Sequence, residues 1–320
     1  MTGALAPASD LVARFEADLK PLAPKGLKIG IAVSGGPDSL ALLLLAAAAR
    51  PGLVEAATVD HGLRPESRAE ARFVRGICER LGIPHATLKV RVASGSSLQA
   101  QARAARYQAL GDWAIERDLR AVATAHHADD QAETLLMRLA RGAGLRGLVG
   151  VRSDRPLEMG IRAVRPLLGW RREELGAIVA AAGIRPIDDP ANRDPRHDRS
   201  RFRGMLAGAD WADPERLAAS AKWLSDADEA LEWALKPLTE SRMARTENGV
   251  TVDARDLPRE MQRRLLLAAF DALGAMRPRG PELDRARKAL RDGKIATLSG
   301  LKMQPGLPWT LSPAPPRRRK

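Results

Sequence analysis

Apolar and polar positions form two patterns along roughly the first 140 residues of the chain. Short apolar runs bounded by glycine or polar residues predict strands, and longer segments with apolar side chains in helical rotation predict helices. The predicted strands cover residues 28–33, 53–59, 84–92 and 121–125, and the predicted helices cover residues 38–50, 65–81, 97–118 and 129–141. Because strands and helices alternate, we expect an α/β fold with a parallel sheet covered on both faces.

The pattern loosens after about residue 150, in a stretch rich in proline, glycine and arginine. Beyond it the sequence predicts a helix at 171–182, a polar segment at 188–203, a break at 210–214 and a helical run to about residue 241. A strand at 250–252, helices at 259–275 and 282–291, and a hairpin at 295–311 follow. We therefore expect two domains, an α/β domain over residues 1–212 and a smaller, mainly helical domain over residues 213–320.

The charge of the chain narrows the class of partner. The 320 residues include 52 Lys+Arg against 39 Asp+Glu, a formal net charge of +13. Positive charge spread along a chain favours a polyanionic partner, most commonly nucleic acid, although an arginine-rich composition can also serve solubility alone. Aromatic residues make up only 3%, so contacts with RNA should use phosphates and shape rather than base stacking.

Cysteine usage and hydropathy indicate the compartment. The single cysteine, Cys78, excludes a disulfide framework, a cysteine-rich zinc site and a cluster held by several thiolates, and it fits a reducing compartment. The first 26 residues lack the apolar core of a signal peptide. The longest apolar run, residues 40–49, is about half of what a membrane crossing needs. We expect a soluble cytoplasmic protein with no membrane contact.

The most informative motif lies between the first predicted strand and the first predicted helix. Its residues are Ser34, Gly35, Gly36, Pro37, Asp38 and Ser39. Backbone N–H groups at such a helix start bind anions, and glycine allows their close approach. Asp38 would repel phosphate unless a divalent cation lay between them, so the motif favours a Mg²⁺-bound nucleotide. A glycine turn with polar helix caps is the alternative. The Gly-Lys-Ser/Thr ending of a Walker P-loop is absent.

The motif reads SGGxDS and resembles the signature of the PP-loop ATP pyrophosphatases. Three further blocks are similar to the tRNA(Ile)-lysidine synthetase family: TVDHGLR at 58–64, ARAARYQAL at 102–110 and TAHHADDQAETLLMRLARGAGLRGLVG at 124–150. The resemblance covers residues 28–203. It implies a PP-loop α/β catalytic domain, ATP and Mg²⁺ as cofactors, and two substrates, L-lysine and a tRNA(Ile) with a CAU anticodon.

The implied reaction is an ATP-dependent carbon–nitrogen ligation. ATP adenylates the C2 oxygen of the wobble cytidine with release of pyrophosphate, and the ε-amine of lysine then displaces AMP to give lysidine, which changes the codon read from AUG to AUA. Another PP-loop enzyme, such as a tRNA thiolase, is the alternative, but a single cysteine supplies no CxxC pair. A non-catalytic nucleotide-binding or RNA-binding protein would not need acidic residues beside the loop.

The resemblance assigns roles in the site. Asp60 and His61, after the second strand, would contact the nucleotide, although Asp60 can also cap a turn. The candidate catalytic residues are Asp38, Arg106, His127 and Asp130, with Asp38 also as the metal ligand. An acidic pocket for the lysine substrate would be formed by Asp129, Asp130 and Glu133. These carboxylates share a helix face and could instead cap the helix or, with the histidines, bind a catalytic metal. Which carboxylate has which task stays open.

Arginine-rich segments are the candidate tRNA contacts. They contribute Arg141, Arg146, Arg193, Arg199, Arg201 and Arg203. Ser200 stands where the family usually has asparagine, so any role of that amide is in question, while the arginine spacing is kept. Exposed loops of mixed charge and a solvated helix face around Arg106 are the alternatives. The sequence leaves open whether the chain is a monomer or a homodimer.

Overall fold

The structure, a computed structural model, describes residues 5–60, 62, 67–90, 98–157, 159–188, 198–209 and 211–315. The helices and strands follow one another in this order: α1 (Ser9–Leu19), β1 (Ile29–Ala32), α2 (Pro37–Ala49), β2 (Val54–Asp60), α3 (Ser67–Leu81), β3 (His85–Lys89), α4 (Leu98–Glu116), β4 (Ala121–Ala123), α5 (Ala128–Ala140), α6 (Leu145–Leu148), β5 (Asp154–Pro156), β6 (Arg162–Val164), α7 (Arg172–Ala181), α8 (Asp198–Ala207), α9 (Pro214–Arg242), β7 (Met243–Thr246), β8 (Gly249–Val252), α10 (Arg259–Ala272), α11 (Gly280–Arg291), β9 (Ala296–Leu298), β10 (Leu301–Gln304) and β11 (Trp309–Pro313).

The chain divides into two compact units. The first consists of Met1–Arg141 with Leu148–Lys222, and the second of Gly142–Gly147 with Trp223–Lys320. The expected boundary at residue 212 lies just before α9 begins, whereas this division falls inside α9, between Lys222 and Trp223. Ala221, early in α9, is fully buried in the first unit, whereas Leu235, further along, belongs to the apolar core of the second.

The first unit is built on a six-stranded sheet in the order β3-β2-β1-β4-β6-β5. The first five of these strands run parallel, and β5 pairs antiparallel with β6 at one edge. Strand β1 is central, with β2 on one side and β4 on the other, so the chain reverses its winding direction there. In sheets of this kind ligands bind at the carboxyl ends of the strands, next to the reversal.

The described residues contain all four predicted strands and the four helices that follow them. Helix α2 is buried on every side from Ser39 to Ala47, as its uniformly apolar sequence predicts. The sequence did not predict α1, β5 or β6, and within the polar segment it missed α8. Strands β5 and β6 have three residues each, too few for an alternating pattern to be recognised.

The second unit combines helices with a five-stranded antiparallel sheet in the order β7-β8-β11-β10-β9. Its core includes Val252 and Leu311 from the sheet and Leu265 and Phe270 from α10. The sequence predicted one strand and a hairpin here, so the sheet is larger than expected. Strand β7 was missed because it directly continues the helical pattern of α9. Among the described helices, none is long and apolar enough to cross a membrane.

Candidate active site

The loop between β1 and α2 is held in one conformation by its neighbours. Gly35 has a φ of +88°, in the left-handed region that favours glycine. A Cβ on Gly35 would lie 2.5 Å from Cδ1 of Ile187. The backbone N–H of Ile187 also donates to the Gly35 carbonyl at 2.9 Å. The loop backbone is therefore packed against the segment that follows α7.

Two serines, Ser34 and Ser39, form hydrogen bonds across this loop. The hydroxyl of Ser39 accepts a hydrogen bond from the backbone N–H of Ser34 at 3.1 Å and donates to the Gly36 carbonyl at 3.0 Å. Gly36 is the N-cap of α2, so no side chain caps the helix start, and Pro37 follows it. The first N–H groups of α2 therefore point out of the helix without a capping side chain, which is the usual arrangement of a phosphate site.

The segment at the carboxyl end of β4 brings a histidine and two carboxylates next to Asp38 of the loop. His127 is buried, and its Nε2 lies 3.5 Å from Asp38 Oδ2 and 3.5 Å from Asp130 Oδ2. Its Nδ1 lies 3.4 Å from Asp129 Oδ2. Asp130 also accepts a hydrogen bond from the backbone N–H of His127 at 3.2 Å, which closes a capping box at the start of α5. The phosphate loop and the acidic residues predicted from the sequence thus meet in one place.

The pKa values of the two adjacent histidines are shifted in opposite directions. Burial by itself lowers the pKa of His127, but its contacts with Asp129 and Asp38 and the charge of Asp130 outweigh burial and raise the pKa to about 9. The pKa of His126 is instead lowered to about 3, chiefly by burial and then by neighbouring arginines, against the opposing effect of Asp130. At neutral pH His127 therefore carries a positive charge among carboxylates, whereas His126 is neutral.

Helix α7 supplies two arginines that sequence reasoning missed. The backbone N–H of Arg172 donates to Asp129 Oδ2 at 2.9 Å, and its Nη2 lies 3.9 Å from Asp38 Oδ2. The Nε of Arg171 lies 3.6 Å from Asp129 Oδ2. These contacts hold the carboxylates of Asp129 and Asp38 in position. The only sequence signal was a pair of basic residues at a helix start, where basic side chains oppose the helix dipole.

Glu133 lies on the same helix as Asp129 but has different neighbours. It is buried, and its Oε1 accepts a hydrogen bond from Arg203 Nε at 2.7 Å. The Nε of Arg199 lies 3.5 Å from its Oε2. Two of the arginines expected to contact tRNA therefore lie against α5, where they neutralise a carboxylate expected to receive lysine. Arg201, between them on α8, is exposed.

The other candidate residues are more dispersed. Asp60 is buried at the end of β2, and its Oδ1 accepts a hydrogen bond from the Gly62 N–H at 2.8 Å, so it caps a turn at the same edge of the sheet. Arg106 lies on α4 next to Tyr107, in the first unit. Arg141 follows α5 and is exposed; Arg146 lies on α6, its Nη1 3.8 Å from Glu232 Oε1 in the second unit. His61 and Arg193 lie outside the described residues.

The Asp38 carboxylate, within the loop, fits a cation that is shared with the phosphates of a nucleotide. Asp38 Oδ1 is buried and has no hydrogen-bond partner among the described residues. No group of three or more His, Cys, Asp or Glu in the part of the chain that the structure describes could hold a metal ion by itself. Mg²⁺ commonly binds through one or two carboxylates together with substrate phosphates and water. Asp38 suits that mode, in which the phosphates complete the coordination.

Comparisons with known proteins show the family to which the chain is similar. The model of a PP-loop domain family matches residues 8–209. The tRNA(Ile)-lysidine synthase of Novosphingobium aromaticivorans is 49% identical over 97% of this chain and 96% of its own length. That of Zymomonas mobilis is 43% identical over 92% of this chain and 91% of its own. A tRNA thiolase structure from Methanococcus maripaludis, 16% identical, covers 69% of this chain and 78% of its own with a TM-score of 0.53, which shows the fold alone.

Proposed function

Since this chain belongs to the tRNA(Ile)-lysidine synthase family, we propose that it uses ATP to activate the wobble cytidine of tRNA(Ile) and then joins that cytidine to L-lysine. The observation that carries the proposal is the meeting of the SGGxDS loop with Asp38, His127 and two further carboxylates at the carboxyl edge of the sheet. Similarity to the relatives extends over nearly the whole chain, including the second unit.

The loop and α2 serve the first step. The C2 oxygen of the cytidine attacks the α-phosphorus of ATP, a phosphorus–oxygen bond forms, and pyrophosphate departs. The N–H groups at the start of α2, with the exposed hydroxyl of Ser34, hold the departing pyrophosphate, and Ser39 keeps the loop in shape through its hydrogen bond to the Gly36 carbonyl. Asp38 would hold Mg²⁺, which supplies neutralisation of the phosphate charge when bound. His127, positively charged, keeps Asp38 and Asp130 close together despite their like charges.

The carboxylates of α5 serve the second step. We propose that Asp129 and Asp130 attract the ammonium groups of lysine. Glu133 would take part in lysine binding only indirectly, through Arg199 and Arg203, with which it forms ion pairs. The ε-nitrogen attacks C2, a carbon–nitrogen bond forms, and AMP leaves with the former C2 oxygen. The nitrogen must lose a proton in this step, and Asp130 is the proposed acceptor.

The remaining arginines are proposed tRNA contacts. Arg141, Arg146 and Arg201 are exposed, as a side chain that meets a phosphate backbone must be. Arg193 keeps the same proposed role. Arg106 is partly buried and next to Tyr107, so we propose that it faces the activated base rather than the outer surface of the anticodon.

The alternative, a sulfur transfer to tRNA, is disfavoured by Cys78. This cysteine is buried in α3, and burial raises the pKa of its thiol to about 12. A sulfur carrier needs an accessible thiolate. No second cysteine exists in the sequence to form a CxxC pair.

A labelling experiment tests the proposal. The protein is incubated with tRNA(Ile) bearing a CAU anticodon, ATP, Mg²⁺ and radiolabelled lysine, and label is counted in precipitated tRNA. We expect incorporation that depends on ATP and releases pyrophosphate. Asp38→Asn should lower pyrophosphate release at least 100-fold with an unchanged circular dichroism spectrum, whereas Asp118→Asn, at an exposed aspartate, should not. Absence of lysine incorporation, with sulfur accepted instead, would refute the proposal; full turnover by Asp38→Asn would refute the metal role alone.

A further inference from the structure

Three arginines gather around Tyr107, and the steps above use none of them. We call Arg103, Arg155 and Arg165, together with Tyr107, the Tyr107 cluster. Tyr107 lies on α4 and is 5% exposed, and Arg165 follows β6 and is 4% exposed. Arg103 and Arg155 are exposed, the first on α4 and the second on β5. The cluster thus has one buried cation beneath two that reach solvent.

The contacts within the Tyr107 cluster are short. Arg165 Nη2 lies 3.3 Å and Arg103 Nη2 3.5 Å from the phenol oxygen, to which both donate. The guanidinium carbon of Arg155 lies 4.7 Å from the centre of the Tyr107 ring, and that of Arg103 lies 5.2 Å from it. Three guanidinium groups therefore surround one aromatic side chain, and they repel one another at these separations.

The positive charge of the Tyr107 cluster lacks an internal counter-charge. Among the described residues, no carboxylate lies within ion-pair distance of Arg103, Arg155 or Arg165. Arg165 donates from Nη1 to the carbonyl oxygen of Arg152 at 2.6 Å, but its buried Nε has no hydrogen-bond acceptor in the described part of the chain. A buried cation is stable when it is paired, so this arrangement favours recruitment of an anion from outside.

The positive charge of these arginines shifts the pKa of two neighbouring groups, Tyr107 and His126. Burial would raise the pKa of the Tyr107 phenol, but the hydrogen bond from Arg165 and the charges of Arg165 and Arg103 lower it overall. The pKa of His126 is lowered chiefly by burial; the charge of Asp130 opposes this shift, and the charges of Arg165, Arg103 and Arg106 add to it. Arg165 directly follows Val164, whose carbonyl oxygen accepts a hydrogen bond from the backbone N–H of Thr124 at 2.9 Å, two residues before His126, so the Tyr107 cluster borders the candidate active site.

We propose that Arg103, Arg155 and Arg165 bind a backbone phosphodiester of the tRNA, next to the cytidine that is activated. The inference rests on the proposed function, since it names a second contact of the same substrate. Guanidinium forks match phosphate oxygens in geometry and charge. The phosphates of ATP already have the loop and the start of α2, whereas a nucleotide that enters the site necessarily carries its backbone phosphate with it. Arg103 and Arg155, which are exposed, contact the phosphate directly, and the buried Arg165 adds a third positive charge beneath them.

The test neutralises the two exposed arginines, whose loss leaves the core intact. We expect Arg103→Gln/Arg155→Gln to weaken tRNA binding about 10- to 100-fold and to make the dependence of log Kd on log salt shallower by about 1, because binding that neutralises one phosphate fewer releases about one counterion fewer. The KM for tRNA should rise while kcat at saturating tRNA stays within about threefold. The KM for ATP, measured by pyrophosphate exchange, should stay within about twofold.

Lys28→Gln/Arg120→Gln is the matched control. It removes the same number of charges at the amino ends of β1 and β4, where Arg120 donates its backbone N–H to Lys28. We expect a change in tRNA affinity below about twofold. Unchanged tRNA affinity and salt slope in the Arg103/Arg155 variant would overturn the inference, and a raised KM for ATP alone would assign the cluster to ATP instead. In both cases wild-type lysine incorporation would leave the proposed function standing; a wild type that binds no tRNA would overturn both.

Discussion

Gly35 is the position in the phosphate loop where local backbone and tertiary packing constrain the residue at the same time. We predict that Gly35→Ala lowers the free energy of unfolding by about 2–3 kcal/mol, through about 1–2 kcal/mol for the left-handed backbone and the rest for displacement of Ile187. The KM for ATP should rise at least 10-fold because the loop shifts. Chemical denaturation and pyrophosphate exchange measure the two effects.

Gly52 offers a matched control for Gly35. Its φ is +77°, close to the +88° of Gly35, but a Cβ there would have nothing within 4 Å. Gly52→Ala should therefore show only the backbone effect, about 1–2 kcal/mol, and no change in the KM for ATP. Equal losses of stability in the two variants, with ATP binding intact in both, would contradict the role assigned to Ile187.

His85 makes the stability of the first unit depend on pH. Burial, reinforced by the charge of Arg75, lowers its pKa to about 4, and its Nε2 lies 2.9 Å from the Thr58 hydroxyl. An unfolded histidine titrates near about 6.5, so at lower pH the unfolded state binds a proton that the folded state does not. Stability present above about pH 6.5 is therefore lost as the pH falls toward 4.

The prediction for His85→Gln follows from this difference in proton uptake. Between pH 6.5 and 4 the free energy of unfolding of the variant should fall less steeply than that of the wild type, because glutamine does not titrate. All other groups are common to the two proteins and cancel in the comparison. Urea denaturation at half-unit steps of pH measures both slopes. Parallel profiles over this range would show that His85 is not held neutral by the fold.

At the residue scale, sequence reasoning succeeded where the signal was contiguous. The SGGxDS loop and the Asp129–Asp130 pair follow predicted strands directly, so their meeting could be expected from the topology of a parallel sheet. The contact of Arg172 with Asp129 and that of Arg165 with Tyr107 could not be expected, because these partners are distant in sequence. Arg165 meets Tyr107 only because an unpredicted hairpin, β5–β6, extends the sheet beyond β4.

At the element scale, α9 and α10 are joined by a buried ion pair in the second unit. Arg264 on α10 is 2% exposed and donates from Nη2 to Oδ1 of Asp228 on α9 at 2.6 Å; Asp228 is 0% exposed. Arg264 also contacts Glu232 at 2.6 Å and Glu260 at 3.1 Å. Removal of one partner would leave a buried charge uncompensated, which is more costly than the loss of the pair as a whole.

We therefore predict that Arg264→Met lowers the free energy of unfolding by about 3–5 kcal/mol, and that adding Asp228→Leu recovers part of this loss. Arg277→Met, which breaks the half-exposed pair with Asp271 in the same unit, should cost less than about 1 kcal/mol. Denaturant unfolding of the four proteins measures these differences. A double variant less stable than Arg264→Met alone would contradict the view that the unpaired carboxylate causes the loss.

Which elements could be predicted depends on length and burial. Helix α2 was evident because nine consecutive buried positions are all small or apolar. The β5–β6 hairpin has two exposed positions among its first three residues and a single short buried run, so its sequence resembles a loop. Its pairing with β4 comes from tertiary contacts that no local pattern encodes.

At the scale of the whole molecule, the limits of the two compact units depend on contacts between residues that are distant in sequence. A proline and polar residues at 210–214 marked the start of α9 correctly. The contacts nevertheless place the first turns of that helix in the first unit and return Gly142–Gly147 to the second. Proline and polar residues in the sequence mark where a helix begins, whereas the division between units depends on the hydrophobic core into which each side chain packs.

The net charge of +13 leads to a prediction about selectivity. Contacts with phosphates bind any tRNA and weaken with salt, whereas discrimination between tRNAs comes from base contacts and shape. Raising salt from about 50 to 200 mM should therefore weaken binding of tRNA(Ile) and of a methionine tRNA with the same anticodon by at least about 10-fold each, while the ratio of their Kd values changes by less than about threefold. Filter binding at four salt concentrations measures this. A ratio that collapses as salt rises would show that the arginines themselves carry the discrimination, and would move the search for specificity from the bases to the backbone.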